Sequence, residues 1–190
     1  MKFRDLTADD IEVRVQSVKQ NGLVLLLYKN ARVDMAILDE TVGPENWQRE
    51  HYECKGNLFC RVGISVDHEG KYDEWVWKSD CGVESNTEAQ KGEASDSFKR
   101  ACFNWGIGRE LYTAPFIWVG ADKCTIKQAG TDKYGKPIYK CYDKFEVEKI
   151  AIENKRIVGL SIINASLAGD KMSDKRVFLL KPEAKDEAAV

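Results

Sequence analysis

Residues 91–112 read KGEASDSFKRACFNWGIGRELY, and the rest of the chain can be read outward from them. Ala94, Phe98, Cys102 and Trp105 recur at spacings of four, four and three, which is the apolar stripe of one helix face. Upstream, Ser85-x-x-Glu88 has the form of a capping box, and Gly106 and Gly108 end the helix. Lys99 and Arg100 lie about 100° and 200° around the axis from Phe98. They share an outward face with Asp96 and Phe103. Two adjacent cations on a rigid element can grip successive phosphates, Arg by a bidentate fork and Lys as a point charge. On periodicity alone the pair also reads as a solvated face, with Asp96 as its ion partner.

An apolar stripe needs a surface to cover, and the preceding residues supply one. Trp47–Cys54 reads as a strand, Lys55-Gly56-Asn57 as a turn, and Leu58–Val66 alternates strictly through Leu58, Cys60, Val62, Ile64 and Val66. The loop DHEGKYD leads to a third strand, Glu74–Asp80, with Trp75 and Trp77 on one face and Val76 and Lys78 on the other. Three antiparallel strands with one buried face require a covering layer, which the helix provides. Further upstream, Thr7-Ala-Asp-Asp predicts a short helix through Val18, and Leu23–Tyr28 a buried strand. A second helix starts at Ala31, with Val33, Ala36, Ile37 and Val42 in helical period, and ends at Gly43-Pro44. Beyond TAPFIWV, strands are predicted at about 123–128, 137–146 and 156–163. KPEAKDEAAV reads as a short flexible tail. The expected fold is α+β: a β-β-β-α core, an antiparallel meander packed by a helix, with an additional C-terminal β-hairpin region. Residues 1–180 form the domain and 181–190 the tail.

Composition narrows the function classes. The 190 residues are 43% hydrophobic and 32% charged, ordinary for one soluble globular domain. No run approaches the ~20 apolar residues of a membrane span, and MKFRDLTADD turns acidic where a signal peptide needs an apolar stretch, so a cytoplasmic protein is expected. The six cysteines show no C-x-x-C pair and read as free thiols, and His51, Cys54 and Cys60 lack zinc-site spacing. No metal, cofactor or catalytic residue is expected. Net charge is −2, but its distribution is uneven. Lys123, Lys127, Lys133, Lys136, Lys140 and Lys144 crowd one segment with Tyr134, Tyr139 and Tyr142, against Asp132 and Asp143 alone. That mix suits a nucleic-acid surface, and equally a solvated hairpin with lysine-rich edges. GTDKYGKP at 130–137 approaches a phosphate-binding loop, but Pro137 replaces the required hydroxyl and a strand follows, so it reads as a glycine hairpin. A metal-dependent nuclease would draw on Asp39, Glu53 and Lys55, and Gly56 ends that strand at once. A plain single-strand-binding module of the OB type is the other alternative.

Three runs, ARVDMAILDETVGPENWQREHY (31–52), NLFCRVGISV (57–66) and EASDSFKRACFNWGIGREL (93–111), resemble the Rad52/22 family of single-strand annealing proteins, in its bacteriophage form. The family's Gly-x-x-x-Trp turn is matched by Gly43 to Trp47. Its closing helix is matched by Glu93, Asp96, Lys99, Arg100, Trp105 and Gly106. The resemblance implies assembly into homo-oligomeric rings or filaments around a basic groove. Single-stranded DNA would lie there with phosphates on the protein and bases free for a complementary strand. It carries Lys99 and Arg100 over as phosphate contacts, and Arg32 one residue out of the family's register. Phe103 stands where some relatives hold another cation. Lys29, Lys91 and Arg61 are further candidate DNA contacts, and Lys127, Lys133, Lys136 and Lys140 a candidate second DNA surface. Tyr28 and Trp47 are candidate stacking platforms. The implied activity is ATP-independent binding of single-stranded DNA and annealing into duplex, in homologous recombination and repair of a phage or prophage. A host single-strand-binding protein is a candidate partner of the tail.

Overall fold

The computed structural model describes residues 1–68, 71–83, 89–169 and 171–182. In chain order its strands are β1 (Glu12–Lys19), β2 (Gly22–Tyr28), β3 (Trp47–Cys54), β4 (Asn57–His68), β5 (Lys71–Cys81), β6 (Ile117–Gly120), β7 (Ile126–Thr131), β8 (Pro137–Cys141), β9 (Phe145–Glu153), β10 (Arg156–Asn164) and β11 (Arg176–Leu180). The helices are α1 (Ala31–Val42), α2 (Ala89–Trp105) and the single turn α3 (Met172–Lys175). Among the described residues no helix is long and apolar enough to cross a membrane. Two compact units emerge, Met1–Asp5 with Lys29–Arg109, and Leu6–Tyr28 with Glu110–Val190.

The first unit is the expected β-β-β-α arrangement. Its sheet runs β3-β4-β5, antiparallel throughout. Lys55 and Gly56 both hold positive φ, 53° and 75°, the two-residue hairpin geometry that matches strand twist. The alternating Cys60, Val62 and Ile64 are fully buried, as are Phe98, Ala101 and Cys102 of the helix that packs on β4 and β5. Trp105 fastens the end of that helix by donating from Nε1 to the Val62 carbonyl at 3.0 Å. Gly106 then turns the chain at φ 97°, and the Ile107 N–H closes on the Cys102 carbonyl at 3.1 Å. The predicted cap at Ser85 and Glu88 lies outside the described residues. Asn30 caps α1 by accepting from the Arg32 N–H at 2.9 Å, and Gly43 at φ 86° ends it.

The second unit carries a six-stranded antiparallel sheet, β11-β10-β9-β1-β2-β6, and the separate β7-β8 hairpin. Its edge strands β11 and β6 come into contact, so the sheet curls. The sheet is larger than the hairpin region the sequence predicts. The helix predicted over Thr7–Val18 is instead a 3-10 turn, Ala8–Asp10, followed by β1. Asp10 accepts from the Thr7 N–H at 2.8 Å and from its hydroxyl at 2.9 Å, spending the helix-start signal on one turn. Val13, Val15 and Val18 then pair with β2, with a register shift between Val15 and Ser17 keeping all three in the ladder. The single strand predicted at 137–146 breaks into β8 and β9, because Asp143 Oδ2 accepts from the Thr125 N–H (2.7 Å) and Asn164 Nδ2 (2.8 Å) and bends the chain there. The short β6 and β11, paired to β2 and β10, have no counterpart in the sequence reading.

Candidate nucleic-acid interface

Lys99 and Arg100 sit in mid-α2, with side chains 24% and 40% exposed. Each has a carboxylate neighbour. Lys99 Nζ lies 3.9 Å from Asp96 Oδ1 one turn away, and Arg100 Nη2 lies 3.3 Å from Asp80 Oδ1 on β5. Ion pairs this open are worth about 0–1 kcal/mol, so a phosphate can displace either carboxylate. The pair is therefore held in place without being locked. Arg32 is exposed in the first turn of α1. Arg49, which the sequence reading passes over, lies on the helix side of β3, its guanidinium 4.8 Å from the Phe98 ring centre. The signal was available: Arg49 alternates with Trp47, which stacks on Phe98 at 6.1 Å, and with His51, whose Nε2 meets the Ala94 carbonyl at 3.1 Å.

Other candidates lie elsewhere. Lys29 is not at the surface but buried, 2% exposed. Its ammonium pairs with the equally buried Asp34 and stands 4.5 Å from the Phe103 ring centre. Gly108 makes the space, since a Cβ there would collide with the Lys29 stem. Burial pushes the Asp34 carboxyl up to about 6, with Lys29 and, more weakly, Lys99 pulling it back down. Arg61 is on the opposite face of β4 from the buried Cys60 and Val62, paired with Glu50 at 2.5 Å and lying 4.5 Å over Trp77. It does not join the α2 cations. The Lys91 side chain lies outside the described residues. Neither stacking candidate is free: Trp47 Nε1 donates to Asp39 at 2.6 Å, and the Tyr28 hydroxyl donates to Glu12. The first of these bonds also occupies the carboxylate that a nuclease would need.

The β7-β8 hairpin concentrates uncompensated charge. Lys127 is directly opposite Lys140 in the ladder. Like charges facing each other across strands are destabilising, so this pair favours an anionic counterpart. The segment's two acids are spent on other groups. Asp132 Oδ1 accepts from the Tyr134 and Lys136 N–H groups at 2.8 and 2.9 Å, and Asp143 is occupied as described above. Among the described residues, Lys127, Lys133, Lys136 and Lys140 have no carboxylate within 4.0 Å. Tyr134 and Tyr142 are the most exposed aromatics, at 76% and 77%.

The family model of the Rad52/22 family double-strand break repair protein matches residues 3–129 of the 190. The match runs from before β1, through the β-β-β-α core and β6, into β7. No curated relative and no solved structure matches the chain. The protein belongs to the Rad52/22 family of double-strand break repair proteins.

Proposed function

We propose that this family member binds single-stranded DNA and anneals complementary strands without ATP, as a homo-oligomeric ring or filament. The setting we propose is recombination and repair of a phage or prophage genome in the bacterial host cytoplasm. The observation that carries the reading is the Lys99–Arg100 pair, fixed on α2 and held only by weak, open ion pairs. Two single strands repel because both are polyanions. A protein surface that takes up their phosphates removes that barrier and leaves the bases free, so pairing becomes a search among ordered bases. Base pairing supplies the driving force, and phosphate contacts position without specifying, so binding is nearly independent of sequence. The Lys127–Lys140 face of the hairpin, with Lys133 and Lys136, then holds the second strand or the product duplex.

Lys99→Ala with Arg100→Ala tests this. Fluorescence anisotropy on a labelled oligonucleotide should show at least tenfold weaker binding, and a salt slope shallower by about two. The melting curve should stay within about 0.5 kcal/mol of the parent's, since both residues are surface groups. Parental affinity in the double variant would overturn the assignment. Arg32→Ala should weaken binding in the same way, by less.

A further inference from the structure

Strands alternate, so half the side chains of β3, β4 and β5 point away from α2. The uncovered face of an antiparallel sheet is ordinarily polar. This one is aromatic. Tyr52 stacks on Phe59 with ring centres 5.5 Å apart, Trp75 lies 6.2 Å from Trp77, and Arg61 covers Trp77. Gly63, opposite Trp77 in the ladder, lets the indole lie flat, because an added Cβ would stand 2.9 Å from its ring. A cavity of about 480 Å³ opens among Glu50, Tyr52, Arg61, Trp77 and Ser79. An exposed cluster of this kind marks an interaction site.

The chemistry of the face selects the partner. Among the described residues no lysine points outward from it, and its one arginine is already neutralised by Glu50. A polyanion finds no free positive charge there, in contrast to the β7-β8 hairpin. Aromatic rings with a compensated arginine and no lysine make the core of a protein–protein contact.

The same chain also projects a complementary group. Tyr112 and Phe116 are 68% and 74% exposed on the segment leading into β6. Their base is fixed. The buried Glu110 carboxylate accepts from the Leu6 N–H at 2.7 Å, and the Thr113 hydroxyl donates to the Glu110 carbonyl at 2.7 Å while accepting from the Ile157 N–H at 2.9 Å. Two rings on a pre-ordered base lose little freedom on docking.

We infer that the outer face of the β3-β4-β5 sheet docks a second copy of this chain, receiving that copy's Tyr112 and Phe116 against Tyr52, Trp75 and Trp77. One patch taking a different patch on the next copy is a head-to-tail contact, which propagates into a ring or filament instead of stopping at a dimer. The inference deepens the assembly proposed above, and its test uses no nucleic acid, so its failure and that of the Lys99–Arg100 site are read separately.

The test is sedimentation velocity on two double variants, Tyr52→Ser with Trp75→Ser and Tyr112→Ser with Phe116→Ser. The parent should sediment as oligomers. Each variant alone should be monomeric, with at least a tenfold weaker association constant and an unchanged circular dichroism spectrum. Each variant keeps one intact patch, so an equimolar mixture should give a one-to-one heterodimer and nothing larger. A monomeric parent, a variant that assembles as the parent does, or a mixture that stays monomeric would each overturn the inference. So would a sheet variant that assembles normally while losing affinity for an oligonucleotide, since the face would then hold bases. Phe116→Ser alone, at the most exposed of the four positions, gives the same reading if the sheet variant does not fold.

Discussion

Two carboxylates respond to acid with opposite signs. Asp34 is raised to about 6 by burial, above its unfolded value near 3.8. The native state therefore binds its proton more readily, and the stability this residue contributes is full below pH 4 and lost as pH rises through 6. The difference is about 3 kcal/mol at 1.36 kcal/mol per unit. Glu148 behaves in the reverse way. The Arg176 fork at 2.7 and 2.8 Å and the Ser161 hydroxyl at 2.5 Å hold it at about 2, so its contribution is present above pH 4.5 and lost as pH falls towards 2. Urea melts across pH 2–7 should show Arg176→Ala losing stability relative to the parent above pH 4.5, the gap closing towards pH 2. Lys29→Met should cost about 3–5 kcal/mol by leaving the Asp34 charge buried without its partner. Lys29→Met with Asp34→Leu should come back to within about 1 kcal/mol of the parent. A double variant as unstable as the single one would show that the Lys29 stem, and not its charge, holds this corner.

Where α2 ends, several constraints meet on one turn. Arg109 Nε and Nη2 donate to the Phe103 and Asn104 carbonyls at 2.6 and 2.9 Å, and Lys78 Nζ reaches Asn104 at 2.9 Å, cations placed where the helix dipole favours them. Gly106 and Gly108 both hold left-handed φ, 97° and 72°. A Cβ on Gly106 meets open space, so Gly106→Ala should cost only the backbone term, about 1–2 kcal/mol. Gly108→Ala also displaces Lys29 from its pair and should cost more; equal losses in urea melts would contradict that. The meander and α2 were legible because their signals are local: strict alternation over Leu58–Val66, a turn at Lys55-Gly56, a stripe through Phe98 and Cys102. β1 was not, because Val13, Val15 and Val18 behind an acidic start fit a helix until β2 pairs with them. β6 and β11 are short and take their partners from distant parts of the chain. In the site, Lys99, Arg100 and Arg32 read correctly as surface cations. Lys29 did not, since its burial depends on Asp34, Phe103 and Gly108, which only the fold brings together.

At the scale of the molecule, a net charge of −2 conceals a division of labour. Open ion pairs mark the α2 cations, uncompensated lysines mark the β7-β8 hairpin, and a neutral aromatic face lies on the meander. The family match ends within β7, so most of that hairpin lies beyond what the family model matches. Lys127→Ala with Lys140→Ala removes a facing like-charge pair, so it should leave stability unchanged or raise it by about 0.2–1 kcal/mol. In a filter-binding assay it should keep first-strand affinity within twofold while lowering the yield of annealed product severalfold. The most direct test of the whole account is to mix two complementary labelled oligonucleotides with the intact protein, without ATP or magnesium, and follow pairing by energy transfer. Pairing at least tenfold faster than the uncatalysed rate, with both strands intact, is the predicted result; pairing no faster than without protein, or strands cleaved once magnesium is added, would contradict it.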